Sequence, residues 1–326
     1  MSTIDRLWYG PSAPLWPLAP LSWLYRGAGA LRALAYRIGL RRIYRPPVPS
    51  IIVGNITVGG TGKTPLVIWL ARHLVERGLR PGVLCRGYRG RAASWPQRVS
   101  AAGDPREVGD EAVLLAGGGD YPVAAGPDRG AAARDLVERA AVDVLVCDDG
   151  LQYPGLARDL EIVVVSGRRG FGNGWILPVG PLREPRSRAD RAAVLAWNGT
   201  PPAGAGGFVL VPREFVNVDS GERLATAAFA GQRVHAVAGI GDPARFFTTL
   251  RELGCEPVEH AFPDHHRFTA ADLSFGDGLP VLMTGKDAIK CRGLAPVPAW
   301  YLAVDAEPDE KLRVAIDHHL ERLLHG

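Results

Sequence analysis

The stretch SIIVGNITVGGTGKTPLVIWLARHL, residues 50–74, constrains the fold more than any other part of the chain. Ile51, Ile52 and Val53 make a short β-branched run of the kind buried in a sheet, and after Pro65 apolar residues recur at helical spacing. Between these lie Gly59, Gly60 and Gly62, followed by Lys63 and Thr64. A strand that turns through glycines directly into a helix aims several backbone N–H groups at one point, beside the positive end of the helix dipole. Such a turn is built to hold phosphate.

The pattern around it continues in kind. SIIVGN, PGVLCRG, DVLVCDDG, LEIVVVSG and AAVLAWN are short apolar runs separated by helix-length segments, as in a parallel sheet covered on both faces. Residues 207–224 alternate around a DSG turn and read as a β-hairpin. A second α/β set follows, with RVHAVAGIG, a helix over 243–253, LPVLMTGKDAIK, AWYLAVD and a closing helix over 309–324. The expected fold is therefore α/β: a P-loop NTPase-like parallel-sheet domain and a second, smaller α/β domain joined by a β-hairpin linker. We place an N-terminal amphipathic segment at 1–47, the P-loop core at 48–205, the hairpin linker at 206–228 and the C-terminal domain at 229–326. At 326 residues, 47% of them hydrophobic, the chain suffices for two cores.

Charge is uneven. The net charge is +4, yet between Asp5 and Glu76 there is no carboxylate, while Arg6, Arg26, Arg32, Arg37, Arg41, Arg42, Arg45, Lys63 and Arg72 are all basic. Such a field draws an anionic surface or a phosphorylated substrate. Within it, Leu21, Leu24, Ala28, Leu31, Ala35 and Ile38 share one helical face, among Trp8, Tyr9, Trp16, Trp23 and Tyr25. This reads as a helix lying on an anionic membrane surface; the alternative is a helix packed on the domain with an arginine-rich solvated side. No apolar run approaches the ~20 residues that span a bilayer, and no export signal is expected. Cys85, Cys147, Cys255 and Cys291 match no zinc or redox spacing, as in a reduced, cytoplasmic setting.

In TVGGTGKT the N–H groups of Gly59, Gly60, Thr61 and Gly62 can point into one concavity, with Thr57 and Val58 expected in the same nucleotide-binding loop; Lys63 reaches the outer phosphates, and the Thr64 hydroxyl can ligate Mg²⁺. Thr57 stands where the common pattern has glycine. An apolar strand ending in aspartate is the expected partner, and Asp148 and Asp149 supply it at a strand's carboxyl end. A turn rich in Asp and Gly is the alternative. TGKD at 284–287 has the wrong order for guanine recognition, so ATP is favoured over GTP.

Several stretches together resemble one family, the tetraacyldisaccharide 4′-kinases of lipid A biosynthesis. They are VGNITVGGTGKTP, CRGYRG, VGDEAVLLA, DDGLQ with RDLEIVVV, LPVGPLREP, FPDHHRFT and TGKDAIKC, in family order over most of the chain. The resemblance implies ATP- and Mg²⁺-dependent phosphorylation of the 4′-hydroxyl of a lipid A disaccharide 1-phosphate, giving the 1,4′-bisphosphate. It places the enzyme at the cytoplasmic face of the bacterial inner membrane, peripheral or monotopic, with no nucleic acid partner. It further implies a catalytic base at Asp110 assisted by His265, with Lys63 on the transferring phosphate. Glu184 is implied as a metal-associated acid beside Thr64, Asp148 and Asp149, with Arg86, Tyr88, Glu111 and Arg183 as substrate contacts.

The residues alone leave alternatives open. Asp110 could cap the helix that GDEAVLLA begins, and Glu111 could serve that helix's dipole. His265 could be a structural loop histidine, and Arg183–Glu184 a solvated pair. Tyr153, where the family commonly has His, and Gly285, where many members have Glu, receive no role; Lys286 and Asp287 are expected to serve interdomain contacts. The competing function is a P-loop NTPase acting as an assembly factor or metallochaperone, for which no Cys or His hand-off site is found.

Overall fold

The computed structural model describes residues 3–10 and 15–325. Strands β1 (Ser50–Gly54), β2 (Pro81–Cys85), β3 (Gln97–Val99), β4 (Val123–Ala125), β5 (Val144–Asp148), β6 (Leu160–Ser166) and β7 (Val194–Asn198) form the first half. Strands β8 (Gly207–Asn217), β9 (Arg223–Ala225), β10 (Arg233–Ala238), β11 (Glu256–Ala261), β12 (Val281–Thr284) and β13 (Ala299–Pro308) complete the sheet. Its order is β11-β10-β12-β13-β8-β7-β6-β1-β5-β2-β4-β3, with β9 paired to β8 alone. All five residues of each of β1, β2 and β5 are buried, which suits their β-branched and small side chains to a sheet covered on both faces.

The nine α-helices among the described residues are α1 (Thr3–Tyr9), α2 (Ala19–Arg37), α3 (Lys63–Glu76), α4 (Pro105–Val108), α5 (Asp110–Ala116), α6 (Arg129–Ala140), α7 (Pro243–Glu252), α8 (Gly285–Cys291) and α9 (Glu310–His325). Leu66, Val67 and Leu70 of α3 pack on one face of β1 with Ile51 and Val53. Ala132, Ala133 and Leu136 of α6 pack on the other face with Ile52. The second half repeats the arrangement on a smaller scale, with Phe246, Phe247 and Leu250 of α7 against Ala236 and Ala238, and Ala288 and Cys291 of α8 against Val237.

The two halves meet along β8 and β13, which run antiparallel from Trp300↔Asn217 to Pro308↔Phe208. Within each half the long pairings are parallel. Because the seam is antiparallel, the carboxyl ends of the two parallel sets face each other across a cleft of ≈ 1980 Å³. The expected hairpin exists as β8–β9, with Glu214↔Ala225 and Val216↔Arg223 paired, but β9 has three residues and hangs at the end of β8. The two halves are therefore connected by the long strand β8 of that hairpin together with β13. The closing helix also differs from the expected grouping at 229–326. Leu312, Ile316 and Leu320 of α9 are buried in the first core with Ile51 and Leu66, and Asp317 meets His73 and Arg77 of the first half at 2.7 and 2.6 Å.

At the other end of the chain, α2 touches the body through few residues. Ser22 is buried and donates to the Ile176 carbonyl at 2.8 Å, and Trp16 meets Trp175 edge to face at 4.9 Å. Residues 23–34 are all exposed, with Trp23 at 67%, Leu24 at 70% and Leu31 at 69%. At 3.6 residues per turn Leu24, Leu31 and Ile38 lie on the side opposite Ser22. The alternative of a helix packed along the domain is thus not what forms. Residues 11–14 of the proline-rich stretch lie outside the described residues. No helix among the described residues is long and apolar enough to cross a membrane.

Candidate active site

The phosphate loop is held open from behind by its own backbone. Val58 N donates to the Pro181 carbonyl at 2.9 Å, Arg183 N donates to the Ile56 carbonyl at 2.6 Å, and Thr57 forms an antiparallel bridge with Leu182. That extended pairing explains why Thr57 needs no glycine. In residues 57–62 positive φ occurs only at Gly59 (95°) and Gly62 (82°). Gly62 caps α3, and any Cβ there would overlap Asn198 Nδ2, which donates to the Thr61 carbonyl at 3.0 Å. Gly60 and Thr61 complete the turn, and Lys63 and Thr64 open the helix.

The polar groups of the loop engage one another. Lys63 Nζ lies 3.1 Å from Asn55 Oδ1 and 3.4 Å from Asp149 Oδ1. Thr64 Oγ1 donates to Asp148 Oδ2 at 3.0 Å. Asp148 Oδ1 is buried with no hydrogen-bond partner. Burial first, then the nearby charge of Glu111, pushes the Asp148 carboxyl up to about 7. Burial opposes ionisation of Asp149 as well, but Lys63 and Arg183 outweigh it and hold that carboxyl below its ordinary value. A partnerless buried carboxylate oxygen beside a threonine hydroxyl fits a hard divalent cation.

Glu184 does not join this pair. It accepts from Gln152 Nε2 at 2.7 Å and lies 3.5 Å from Arg188 Nε. No group of three or more His, Cys, Asp or Glu among the described residues is arranged to hold a metal by itself. Gln152, which the residue-by-residue reading passed over, also donates to the Asn55 carbonyl at 3.0 Å and so ties Glu184 to the loop. Arg183 faces Asp149 at 3.2 Å rather than Glu184.

The second constellation lies where α5 meets the second half. Gly109 has φ 91°, and a Cβ on it would sit 2.6 Å from the Tyr88 carbonyl, so the CRGYRG turn and the start of α5 fit only through glycine. Asp110 is the first residue of α5, one position inside Gly109, and its Oδ1 accepts from Glu111 N at 3.1 Å, so one oxygen serves the helix start while the other is free for a second partner. Asp110 Oδ2 meets His265 Nδ1 at 3.1 Å. His265 sits at φ 62° in the loop after β11 and crosses the cleft to make this contact. Burial alone would raise the Asp110 carboxyl; the His265 hydrogen bond and the charge of Lys286 hold it below its ordinary value.

Lys286 Nζ lies 3.2 Å from His265 Nε2, 3.4 Å from Asp264 and 3.5 Å from Glu111. Tyr88 meets His265 in a T-shaped ring contact at 5.3 Å, and Arg86 and Arg89 sit over the tyrosine ring at 5.8 and 5.6 Å. Arg86, Tyr88, Glu111 and Arg183 all line the one cleft with residues 59–64. The expected site residues therefore converge, with Glu184 set apart behind Gln152. Asp287 serves its own half: it is fully buried and accepts from Gly239 N at 2.9 Å and Thr284 Oγ1 at 2.7 Å. Three further contributors had no local signal: Asn198, Arg169 and Arg245. Arg245 reaches from α7 to Asn198 Oδ1 at 3.3 Å, and Arg169 reaches the Gly241 carbonyl at 3.3 Å, so the second half touches the phosphate loop's supports.

Fold and site together define an α/β protein of the P-loop kinase type, with a second half whose side chains meet the supports of the loop. The family described as tetraacyldisaccharide-1-P 4′-kinase matches residues 14–321. A tetraacyldisaccharide 4′-kinase of Alkalilimnicola ehrlichii is 50% identical over 99% of this chain and 98% of its own, and one of Pseudomonas aeruginosa is 47% identical over 99% of each. The crystal structure of LpxK from Aquifex aeolicus in complex with ATP superposes with a TM-score of 0.77 at 29% identity, covering 95% of this chain and 99% of that one. This chain belongs to the tetraacyldisaccharide 4′-kinase family.

Proposed function

We propose that the protein transfers the γ-phosphate of ATP to the 4′-hydroxyl of a tetraacyldisaccharide 1-phosphate, giving the 1,4′-bisphosphate in lipid A biosynthesis. The observation that carries this reading is the Asp110–His265 pair, made by two halves of the chain across one cleft from Lys63 and Thr64. Asp110 accepts the proton of the 4′-hydroxyl while that oxygen bonds to the γ-phosphorus and the bond to the ADP oxygen breaks. Phosphoryl transfer passes through a loose transition state, so a carboxylate of low proton affinity suffices as base. Lys63 exchanges Asn55 and Asp149 for phosphate oxygens, and the loop N–H groups hold the remaining ones.

Thr64 and Asp148, with Asp149 beside them, would hold Mg²⁺, which when bound would supply positive charge against the phosphates. Arg86 and Tyr88 sit beside the base and are assigned to the sugar or its phosphate. His265 reaches Asp110 from the second half, so the pair is complete only when the cleft is closed, which limits loss of ATP to water.

The membrane partner is assigned to α2. Its exposed Trp23, Leu24 and Leu31 would rest in the interfacial region, with Arg26, Arg37, Arg41 and Arg42 at the anionic headgroups. Tyr25 and Arg32 of the same helix line the cleft, so a lipid substrate would pass from bilayer to cleft along one element. ATP supply places this at the cytoplasmic face of the inner membrane. The test is transfer of ³²P from γ-labelled ATP to the disaccharide 1-phosphate in Mg²⁺-containing micelles, with the product's phosphate position read by mass spectrometry. A 4′-labelled lipid supports the reading; ATP hydrolysis without labelled lipid contradicts it. For the membrane part, replacing Trp23, Leu24 and Leu31 with serine should weaken sedimentation with anionic vesicles at least tenfold and leave ATP binding intact. Unchanged sedimentation contradicts it.

A further inference from the structure

We infer that Lys286 is a positioning residue that fixes the tautomer of His265, making the imidazole a donor to Asp110 and denying it the role of a second base. The argument starts from what each group can offer. A lysine ammonium has donors only, so its 3.2 Å contact requires a lone pair on His265 Nε2. The proton of the neutral ring then sits on Nδ1, which faces Asp110 Oδ2 at 3.1 Å, and the aspartate must accept. Both ring nitrogens are thereby assigned by chemistry.

Lys286 is well placed to enforce this. It is the second residue of α8, its side chain is largely buried, and it stands between Glu111 of the first half and Asp264 of the second at 3.5 and 3.4 Å. Those two acids, with Asp110, outweigh its burial and hold the ammonium above its ordinary value, so it stays a donor. The other groups around the ring do not compete for Nε2. Asp264 is 3.9 Å from it, Arg89 is spent on the His265 carbonyl at 3.1 Å, and Tyr88 meets the imidazole in a T-shaped ring contact. Lys290 acts on Asp110 only through its charge.

The arrangement has a catalytic use that rests on the proposed kinase reaction. The proton taken from the acceptor hydroxyl stays on Asp110, because the nitrogen facing Asp110 is already protonated and the other is covered by an ammonium. A neutral imidazole also leaves the carboxylate more basic than an imidazolium would, since a charge-assisted hydrogen bond favours the ionised acid. Removing Lys286 uncovers Nε2 and leaves its lone pair open to a proton from water.

The test reads the tautomer first. The full chain is labelled with ¹⁵N-histidine, the His265 signals among its eight histidines are identified by their loss in His265→Gln, and the two ring nitrogens are read at pH 7.5 from two-bond N–H correlations. The expected result is a protonated Nδ1 and a bare Nε2 in the wild type and in Lys286→Arg, and a shift toward protonated Nε2 in Lys286→Met. A wild-type ring protonated on Nε2, or on both nitrogens, overturns the inference. The second reading is the pH dependence of kcat. As pH falls from 7.5 to 5.5, Lys286→Met should lose kcat relative to the wild type, because the uncovered Nε2 can take a proton, and Lys286→Arg should restore the wild-type profile. A uniform loss with an unchanged profile means that Lys286 only braces the two halves, and contradicts the inference. The tautomer is read without lipid, so failure of the wild type to phosphorylate lipid would sink the kinase reading and leave this result standing.

Discussion

Asp110 and Asp148 are both nearly inaccessible to solvent, at 6% and 3% exposure, yet they are held in opposite electrostatic states. Asp148 is pushed up to about 7 because it was taken out of water with one oxygen left without a partner. Asp110 is drawn below its ordinary value because the second half supplies a histidine and an ammonium. Burial thus fixes neither role. What distinguishes them is whether the chain brings the counter-charge or leaves it to a ligand: Asp148 is an incomplete seat for a cation, and Asp110 is a completed acceptor.

The largest expected effect tests the second half of that contrast. Asp110→Ala should lower kcat for lipid phosphorylation by about 10²–10⁴ with ATP affinity unchanged. His265→Ala should lower kcat in the same sense, and adding it to Asp110→Ala should cost little more, because groups that act as a unit are not additive. An additive double variant would mean that the two act separately.

Proton counting tests the first half. Below pH 7 Asp148 is largely protonated without nucleotide, so binding of Mg²⁺ and ATP should release up to about one proton from this group, a release that Asp148→Asn abolishes. Calorimetry in buffers of different ionisation enthalpy measures it. The same shift sets a sign for stability. Asp148 binds its proton more tightly folded than unfolded, so between about pH 4 and 7 the nucleotide-free protein should lose stability as pH rises, with no further loss from this group above about 7. Asp110 has the reverse sign: its contribution is present above about pH 4 and is lost as pH falls through its lowered folded value. At pH 8, Asp148→Asn should raise Tm by a few degrees, roughly what relief of a buried charge gives in a protein of this size. The smallest expected effect concerns Glu184. Its carboxylate is engaged by Gln152 and Arg188, so Glu184→Gln should weaken Mg²⁺ affinity by less than about threefold, far less than Asp148→Asn.

Much of this contrast could be read along the chain, because its parts are local. Thr57 to Thr64 declare themselves by glycine spacing and by strand and helix on either side, and Asp148 and Asp149 by their place after four apolar residues. Asp110 read equally well as a cap until the resemblance was weighed, since a carboxylate at the start of a helix has a structural use wherever it occurs. Lys286, Gln152, Asn198 and Arg245 act through partners between about 20 and 180 positions away, and no spacing rule reports a contact made by folding. The same limit applies to β13, which reads as one more strand of the second half until its pairing with β8 is seen. It applies also to α9, whose apolar stripe does not say which core it joins.

The most direct measurement is a single-turnover reaction at pH 7.5. Wild type and Asp110→Ala are each loaded with Mg²⁺ and γ-³²P-labelled ATP, then mixed with the disaccharide 1-phosphate in micelles. The account predicts that both proteins hold nucleotide equally and that only the wild type labels the lipid rapidly. Labelling by Asp110→Ala at the wild-type rate, or loss of its nucleotide binding, would contradict it.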